Sequence, residues 1–169
     1  MQRVAEFEKV SFEQFKSAWV DIFLDSDEEI RYIYDNIKLP TRATSGSAGY
    51  DFFMPINMNL APGETFLIPT GVRVKIDEGW FLSVFPKSGL GFKYRLQLDN
   101  TVGVIDSDYY YSDNEGHMFV KMTNSCTNNK TIELKQGASF CQGIFLPYGI
   151  THSDNATGVR NGGFGSTSK

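Results

Sequence analysis

From Leu39 onward, turn-forming residues recur at short intervals, and that spacing constrains the fold more than any other feature of the chain. Pro62-Gly63, Asp77-Glu-Gly79, Asp99-Asn100 and Asn128-Asn129 all favour reversal of the backbone. Between them lie short runs rich in branched and aromatic residues, at 65–69, 72–76, 80–85, 118–122, 131–134 and 139–146. Many short strands at this interval predict a mainly β domain, a sandwich or barrel, over residues 39–150.

Residues 1–38 read differently. Ser11-Phe-Glu-Gln14 and Ser26-Asp-Glu-Glu29 fit the capping box that opens a helix. Phe12, Phe15, Trp19 and Phe23, then Ile30, Ile33, Tyr34 and Ile37, follow at helical spacing. The pattern predicts an extension of two short amphipathic helices that pack on the β domain or on a neighbouring subunit. A dedicated partner-binding surface is the alternative. At the other end, residues 151–169 hold few apolar side chains and much Gly, Ser, Thr and Asn, a composition that predicts a flexible C-terminal tail.

A chain of 169 residues with 41% hydrophobic content, including 14 Phe and 8 Tyr, suffices for one domain with a real core. The formal net charge of −4 supplies no basic field for nucleic acid, so an anionic ligand must be met by local cations or a metal ion. Cys141 lies in the apolar run Phe140-Cys-Gln-Gly-Ile-Phe-Leu146 and is expected to be a small buried hydrophobe, with no disulfide to Cys126. The start of the chain is charged (Arg3, Glu6, Glu8, Lys9) and lacks the apolar core of a signal peptide. No run approaches the ~20 apolar residues needed to cross a bilayer. The expectation is a cytoplasmic protein with no membrane partner.

Asn100-Thr-Val-Gly-Val-Ile-Asp-Ser-Asp-Tyr109 places a carboxylate, Asp106, at the end of a short apolar strand, between an amide and an aromatic ring. Two readings fit. Asp-Ser-Asp after a strand is ordinary turn chemistry, in which short polar side chains bond their own backbone. A carboxylate held there can also serve as a general base, though the segment alone favours the turn. Four other segments carry possible chemistry: Ser45-Gly-Ser-Ala-Gly-Tyr-Asp51, the glycine loop Pro86-Lys-Ser-Gly-Leu-Gly91, Gly137-Ala-Ser-Phe-Cys-Gln142, and Arg160-Asn-Gly-Gly-Phe-Gly-Ser-Thr167. Taken singly, each is better explained by a turn, an edge residue or a loose end. Phe164 is the exception, since an aromatic ring between glycines gains nothing unless it covers something.

In this order and spacing the five segments resemble the five motifs of the homotrimeric dUTPase family, over about residues 38 to 167. The resemblance implies a distorted jelly roll whose active sites lie between subunits, and an enzyme that hydrolyses dUTP to dUMP and pyrophosphate. It assigns residues 100–109 to a β-hairpin pocket for uracil, in which Asn100 and the backbone at Gly103, Val104 and Ile105 read the base and Tyr109 packs on the deoxyribose. Asp106 would activate the attacking water, with Gln142 as the amide beside it. Lys87, Ser88 and Gly89 would hold phosphate oxygens. From another subunit's tail, Phe164 would stack on the base, while Arg160, Gly165, Ser166 and Thr167 would close over the phosphates. The resemblance further implies Mg²⁺ carried by the phosphates and water, without direct protein ligands, and with Asp51 near its water shell.

The chain departs from the family pattern in places. Lys87 stands where arginine is usual, and residues 110–116 replace a shorter continuation after Tyr109. The usual basic residue before Gln142 is missing, and the helical extension is additional. Two rivals remain. One is a dCTP deaminase of the same fold, which needs a glutamate on the strand that here reads Met118-Phe-Val-Lys-Met-Thr-Asn124. The other is a nucleotide-dependent regulatory protein that keeps the pocket without the rate.

Overall fold

The computed structural model describes residues 2–162 and is mainly β. Its strands are β1 (Ala5–Lys9), β2 (Thr41–Arg42), β3 (Tyr50–Phe53), β4 (Met58–Leu60), β5 (Thr65–Pro69), β6 (Val72–Ile76), β7 (Trp80–Pro86), β8 (Leu96–Leu98), β9 (Gly103–Ile105), β10 (Phe119–Asn124), β11 (Ile132–Leu134) and β12 (Ser139–Pro147). Helices α1 (Phe12–Val20) and α2 (Asp27–Asp35) precede β2, α3 (Ser88–Tyr94) follows β7, and a 3₁₀ turn spans Ser107–Tyr111.

All the strand pairs are antiparallel. The largest sheet runs β2-β3-β12-β7-β9, and a second runs β5-β10-β8. The last strand of the chain, β12, therefore lies between β3 and β7. Such pairing of strands distant in sequence is the mark of a jelly-roll architecture rather than a meander. Phe52, Ile68, Leu82, Met122 and Phe140 fill the interior at 5% exposure or less. Cys141 is wholly buried among them, and both cysteines are free. Burial pushes the Cys141 thiol well above its ordinary pKa, so it remains a neutral, unreactive hydrophobe.

The N-terminal segment shares this core. Phe15, Trp19 and Ile30 are each 0% exposed, and burial of such side chains stabilises by about 1.5–3 kcal/mol each. Gly71, in the turn between β5 and β6, has φ +70°, and a Cβ there would lie 2.2 Å from Ile37 Cδ1. Only glycine lets Ile37, and Phe15 of α1, approach this turn so closely. The sequence reading missed β1. Ala5-Glu-Phe-Glu-Lys9 contains little that favours a strand, and its conformation comes from its ladder with β6, a tertiary effect.

Ser26 forms the full capping box with Glu29. Ser11 forms half of one. Its Oγ accepts from Gln14 N–H, but its own N–H donates to Glu115 Oε2 at 2.7 Å. A residue from the far side of the chain thus takes the place expected of Gln14.

Candidate active site

A cavity of about 590 Å³ opens between β7, β9 and β10, a size suited to a nucleotide base and sugar. Phe52, Val84, Met118 and Val120 form apolar wall, and Asn100, Gly103, Val104, Ile105, Tyr109 and Arg160 also line it. β9 lies against β7, with Gly103 opposite Val84. The expected hairpin is not what builds this wall. β8 pairs with β10 while β9 pairs with β7, so the chain passes between two sheets at the Asn100 turn. β8 and β9 thus each form the edge of a different sheet. In the turn itself Thr101 takes φ +62° and Val102 N–H donates to Asn100 O at 2.7 Å, which leaves Asn100 exposed at the tip.

Beyond β9 the chain extends at Asp106 (φ −78°, ψ 157°) and then enters the 3₁₀ turn. Asp106 makes no side-chain cap bond to that turn, so its carboxylate is not occupied as turn chemistry would have it. It forms instead an ion pair with Arg160. The Arg160 Nε also pairs with Asp108 Oδ1 at 2.9 Å, and its guanidinium lies 5.8 Å from the centre of the Tyr109 ring. Tyr109 is 5% exposed. Its hydroxyl donates to His117 O at 2.7 Å and accepts from Asn114 Nδ2 at 2.8 Å. Burial raises the phenol's pKa against the opposing effects of Asn114 and Arg160, so the ring stays neutral and fixed.

A second cluster gathers Asp51, Lys87, Ser88, Gly89 and Gln142. Strand register sets Gln142 opposite Asp51 on β3 and opposite Phe85 on β7. Lys87 Nζ forms an ion pair with the Asp51 carboxylate, which is 14% exposed. A Cβ on Gly49 would come within 2.7 Å of Gln142 Oε1, so the missing side chain gives that amide its place. The sequence reading took residues 86–91 for a glycine loop. They form a turn that runs at once into α3, because Leu90 and Gly91 N–H both donate to Lys87 O, at 3.0 and 2.9 Å. The amides of Ser88 and Gly89 fall in the first turn, where a helix has no internal acceptors to offer.

The two clusters lie on opposite faces of one sheet. Side chains alternate along a strand, and directly paired residues share a face. Phe52 and Val84 line the cavity, whereas Asp51, Gln142 and Phe85, each one residue along in the register, point the other way. Within one chain the cavity therefore holds Asn100, Tyr109 and Arg160, with Asp106 paired to that arginine, and not the Asp51–Gln142 cluster. Phe164, Gly165, Ser166 and Thr167 lie outside the described residues. Among the described residues, no three His, Cys, Asp or Glu side chains converge as a metal cage. Asp108, Asn114 and His117 were not singled out from sequence. Asp108 stands within the site segment, but nothing local marks Asn114 or His117 as supports for a tyrosine.

Comparison with known proteins gives a consistent result. The family model for dUTPase matches residues 35–168. The deoxyuridine 5'-triphosphate nucleotidohydrolase of Lactococcus lactis is 41% identical over 140 residues, covering 81% of this chain and 92% of that protein. The Escherichia coli protein of the same name is 38% identical over 139 residues, covering 78% and 87%. The crystal structure of dUTPase from Streptococcus mutans superposes with a TM-score of 0.63 at 33% identity, covering 87% of this chain and 98% of that one. A Staphylococcus bacteriophage 80alpha dUTPase reaches the same TM-score at 17% identity, a likeness of fold, covering 95% and 100%.

Proposed function

This chain belongs to the dUTPase family, and on that premise we propose that it is a dUTP diphosphatase, which hydrolyses dUTP to dUMP and pyrophosphate. The observation that carries the reading is the Asp106 carboxylate, which stands beside a base-sized cavity and is not bound to its own backbone. In the proposed reaction Asp106 accepts a proton from water as the water oxygen bonds to the α-phosphorus. The bond from that phosphorus to the α,β-bridging oxygen breaks, and pyrophosphate leaves. Holding the water in line is worth as much as activating it.

Asn100, at the tip of its turn, is proposed to read the uracil edge together with the backbone at Gly103, Val104 and Ile105. Tyr109 would pack against the sugar, and its fixed ring leaves no allowance for a 2'-hydroxyl. Ser88 and Gly89 would offer amides to phosphate oxygens, with Lys87 as the nearby cation and Gln142 contacting the phosphates or the water. Arg160 would exchange its present carboxylate partners for the γ-phosphate, while Phe164, Gly165, Ser166 and Thr167 complete the lid. The oxygen donors available suit Mg²⁺ that arrives on the triphosphate, a cation that keeps most of its waters, with Asp51 facing its water shell. When bound, the ion would neutralise phosphate charge.

The separation of the two clusters supports assembly of each site from more than one chain, and we propose the homotrimer. One chain would give the cavity, a second the Asp51–Gln142 face and a third the tail. A cytoplasmic location accords with the two free cysteines. Neither nucleic acid nor a membrane is proposed as a partner, and among the described residues no helix is long and apolar enough to span a bilayer.

The test is pyrophosphate release from dUTP, dTTP, dCTP and UTP, with and without Mg²⁺. Release confined to dUTP and dependent on Mg²⁺ is expected. Ammonia release from dCTP would favour a deaminase instead, although residues 118–124 carry no glutamate for that chemistry. Nucleotide binding without turnover would favour the regulatory reading.

A further inference from the structure

Residues 110–117 are mostly polar, yet hydrogen bonds and ion pairs tie them to several distant parts of the fold. Glu115 holds φ +57°, a backbone state that side chains other than glycine rarely adopt and that persists only where contacts enforce it. Those contacts reach across the fold to the start of α1. Ser11 N–H donates to Glu115 Oε2 at 2.7 Å, and Ser11 Oγ donates to Oε1 at 2.5 Å. Arg73 Nη1 lies 4.0 Å from the same carboxylate, while Arg73 Nη2 pairs with Glu8 Oε2 at 2.8 Å. Tyr110 OH donates to that Glu8 oxygen at 2.9 Å, and the Arg73 guanidinium sits 4.4 Å from the Tyr110 ring centre. Burial opposes ionisation of Glu115, but the Ser11 bonds, Arg73 and His117 outweigh it and hold the carboxyl below its ordinary pKa.

The inner side of the same segment holds the cavity's aromatic ring. Asn114 donates to the Tyr109 hydroxyl at 2.8 Å, and His117 O accepts from that hydroxyl at 2.7 Å. His117 is itself fixed by Gly71 N–H, which donates to Nε2 at 2.8 Å. One face of the segment thus grips the N-terminal strand and helix, and the other grips Tyr109.

We propose that residues 110–117 form a clasp, closed by Glu115 on Ser11, that positions Tyr109 and so sets the discrimination between 2'-deoxy and 2'-hydroxy nucleotides. This inference rests on the role given to Tyr109 above. Glu115 and Ser11 are positioning residues that touch no substrate. The N-terminal extension then has a task beyond adding to the core, since it is the fixed body against which the clasp closes. Loosening it allows the ring to retreat by a fraction of an ångström, enough to admit a hydroxyl.

Two readouts test the proposal: the ratio of kcat/KM for dUTP to that for UTP, and hydrogen exchange of amides 107–117. Glu115→Ala is expected to lower the ratio by about tenfold, mainly through KM, and to speed exchange in that segment. Ser11→Thr, which keeps the hydroxyl, should retain the parent ratio. Ser26→Ala removes a comparable helix cap that shares no bond with the clasp and controls for general destabilisation, so its ratio should match the parent's. A folded Glu115→Ala protein with unchanged ratio and unchanged exchange overturns the clasp, as does an equal loss in Ser26→Ala. If Glu115→Ala fails to fold, Ser11→Ala and Tyr110→Phe, each lacking one hydroxyl, decide the matter by the same exchange measurement. A parent protein that does not turn over dUTP sinks the hydrolase reading, and the exchange data then judge the clasp alone.

Discussion

The two faces of the large sheet are built on different principles. The cavity face has a largely apolar wall, and its buried Tyr109 has its hydroxyl satisfied by Asn114 and the His117 carbonyl. The opposite face carries an ion pair, Asp51 with Lys87, beside the amide of Gln142. The first is suited to reading the shape of a base and sugar, and the second to meeting charge. Strand alternation keeps them apart within a chain, in accord with the proposal that each is half of a site. In a protein of net charge −4, each face thus carries a cation already paired with a carboxylate, Lys87 with Asp51 on one and Arg160 with Asp106 on the other.

Three perturbations separate the halves. Asp106→Asn should act at the chemistry alone. It is expected to lower kcat by about a thousandfold while dUTP affinity stays near that of the parent. Turnover at the parent's rate would remove Asp106 as the base.

Acid should act through the support of the cavity face. Burial depresses the His117 pKa from its ordinary 6.5 to about 4, against the opposing pull of Glu115. The unfolded chain then binds a proton below pH 6.5 that the folded chain refuses, so this contribution is complete above pH 6.5 and is lost as the pH falls towards 4. Urea unfolding should show a loss of about 2 kcal/mol between pH 7 and pH 5, reduced in His117→Gln. An equal loss in that variant would clear His117 of the effect.

The smallest expected effect is on the charged face. In Gly49→Ala the new Cβ displaces the Gln142 amide. Turnover should fall about tenfold, while deoxyuridine, which lacks phosphates, binds as before. Weakened deoxyuridine binding would mean that the faces are not independent.

Much of this was legible from sequence, and the failures have physical causes. The bounds of β5 and β6 follow from branched residues between strong turn signals. β1 escaped because its strand character lies in β6, 67 residues on from Ala5 to Val72, and not in its own side chains. α3 escaped because Ser-Gly-Leu-Gly-Phe-Lys-Tyr is a poor helix by propensity and is started by the turn at Lys87. Asp106 was ambiguous in sequence because a capping aspartate and a free one are written alike, and only the absent cap bond separates them. The division of the proposed site segments between two faces was not legible, since it depends on strand register. Nor could residues 110–116 reveal their grip on Ser11 and Glu8, which lie more than a hundred positions earlier.

The division into half-sites is tested most directly by mixing two crippled proteins. Asp106→Asn lacks the base on the cavity side, and Gln142→Ala lacks the amide on the other. Each should be nearly inactive alone. If every site draws these residues from different chains of a trimer, co-expression in equal amounts regenerates intact pairs and about a quarter of the parent's dUTP turnover. Activity no greater than the sum of the two variants alone would contradict the account.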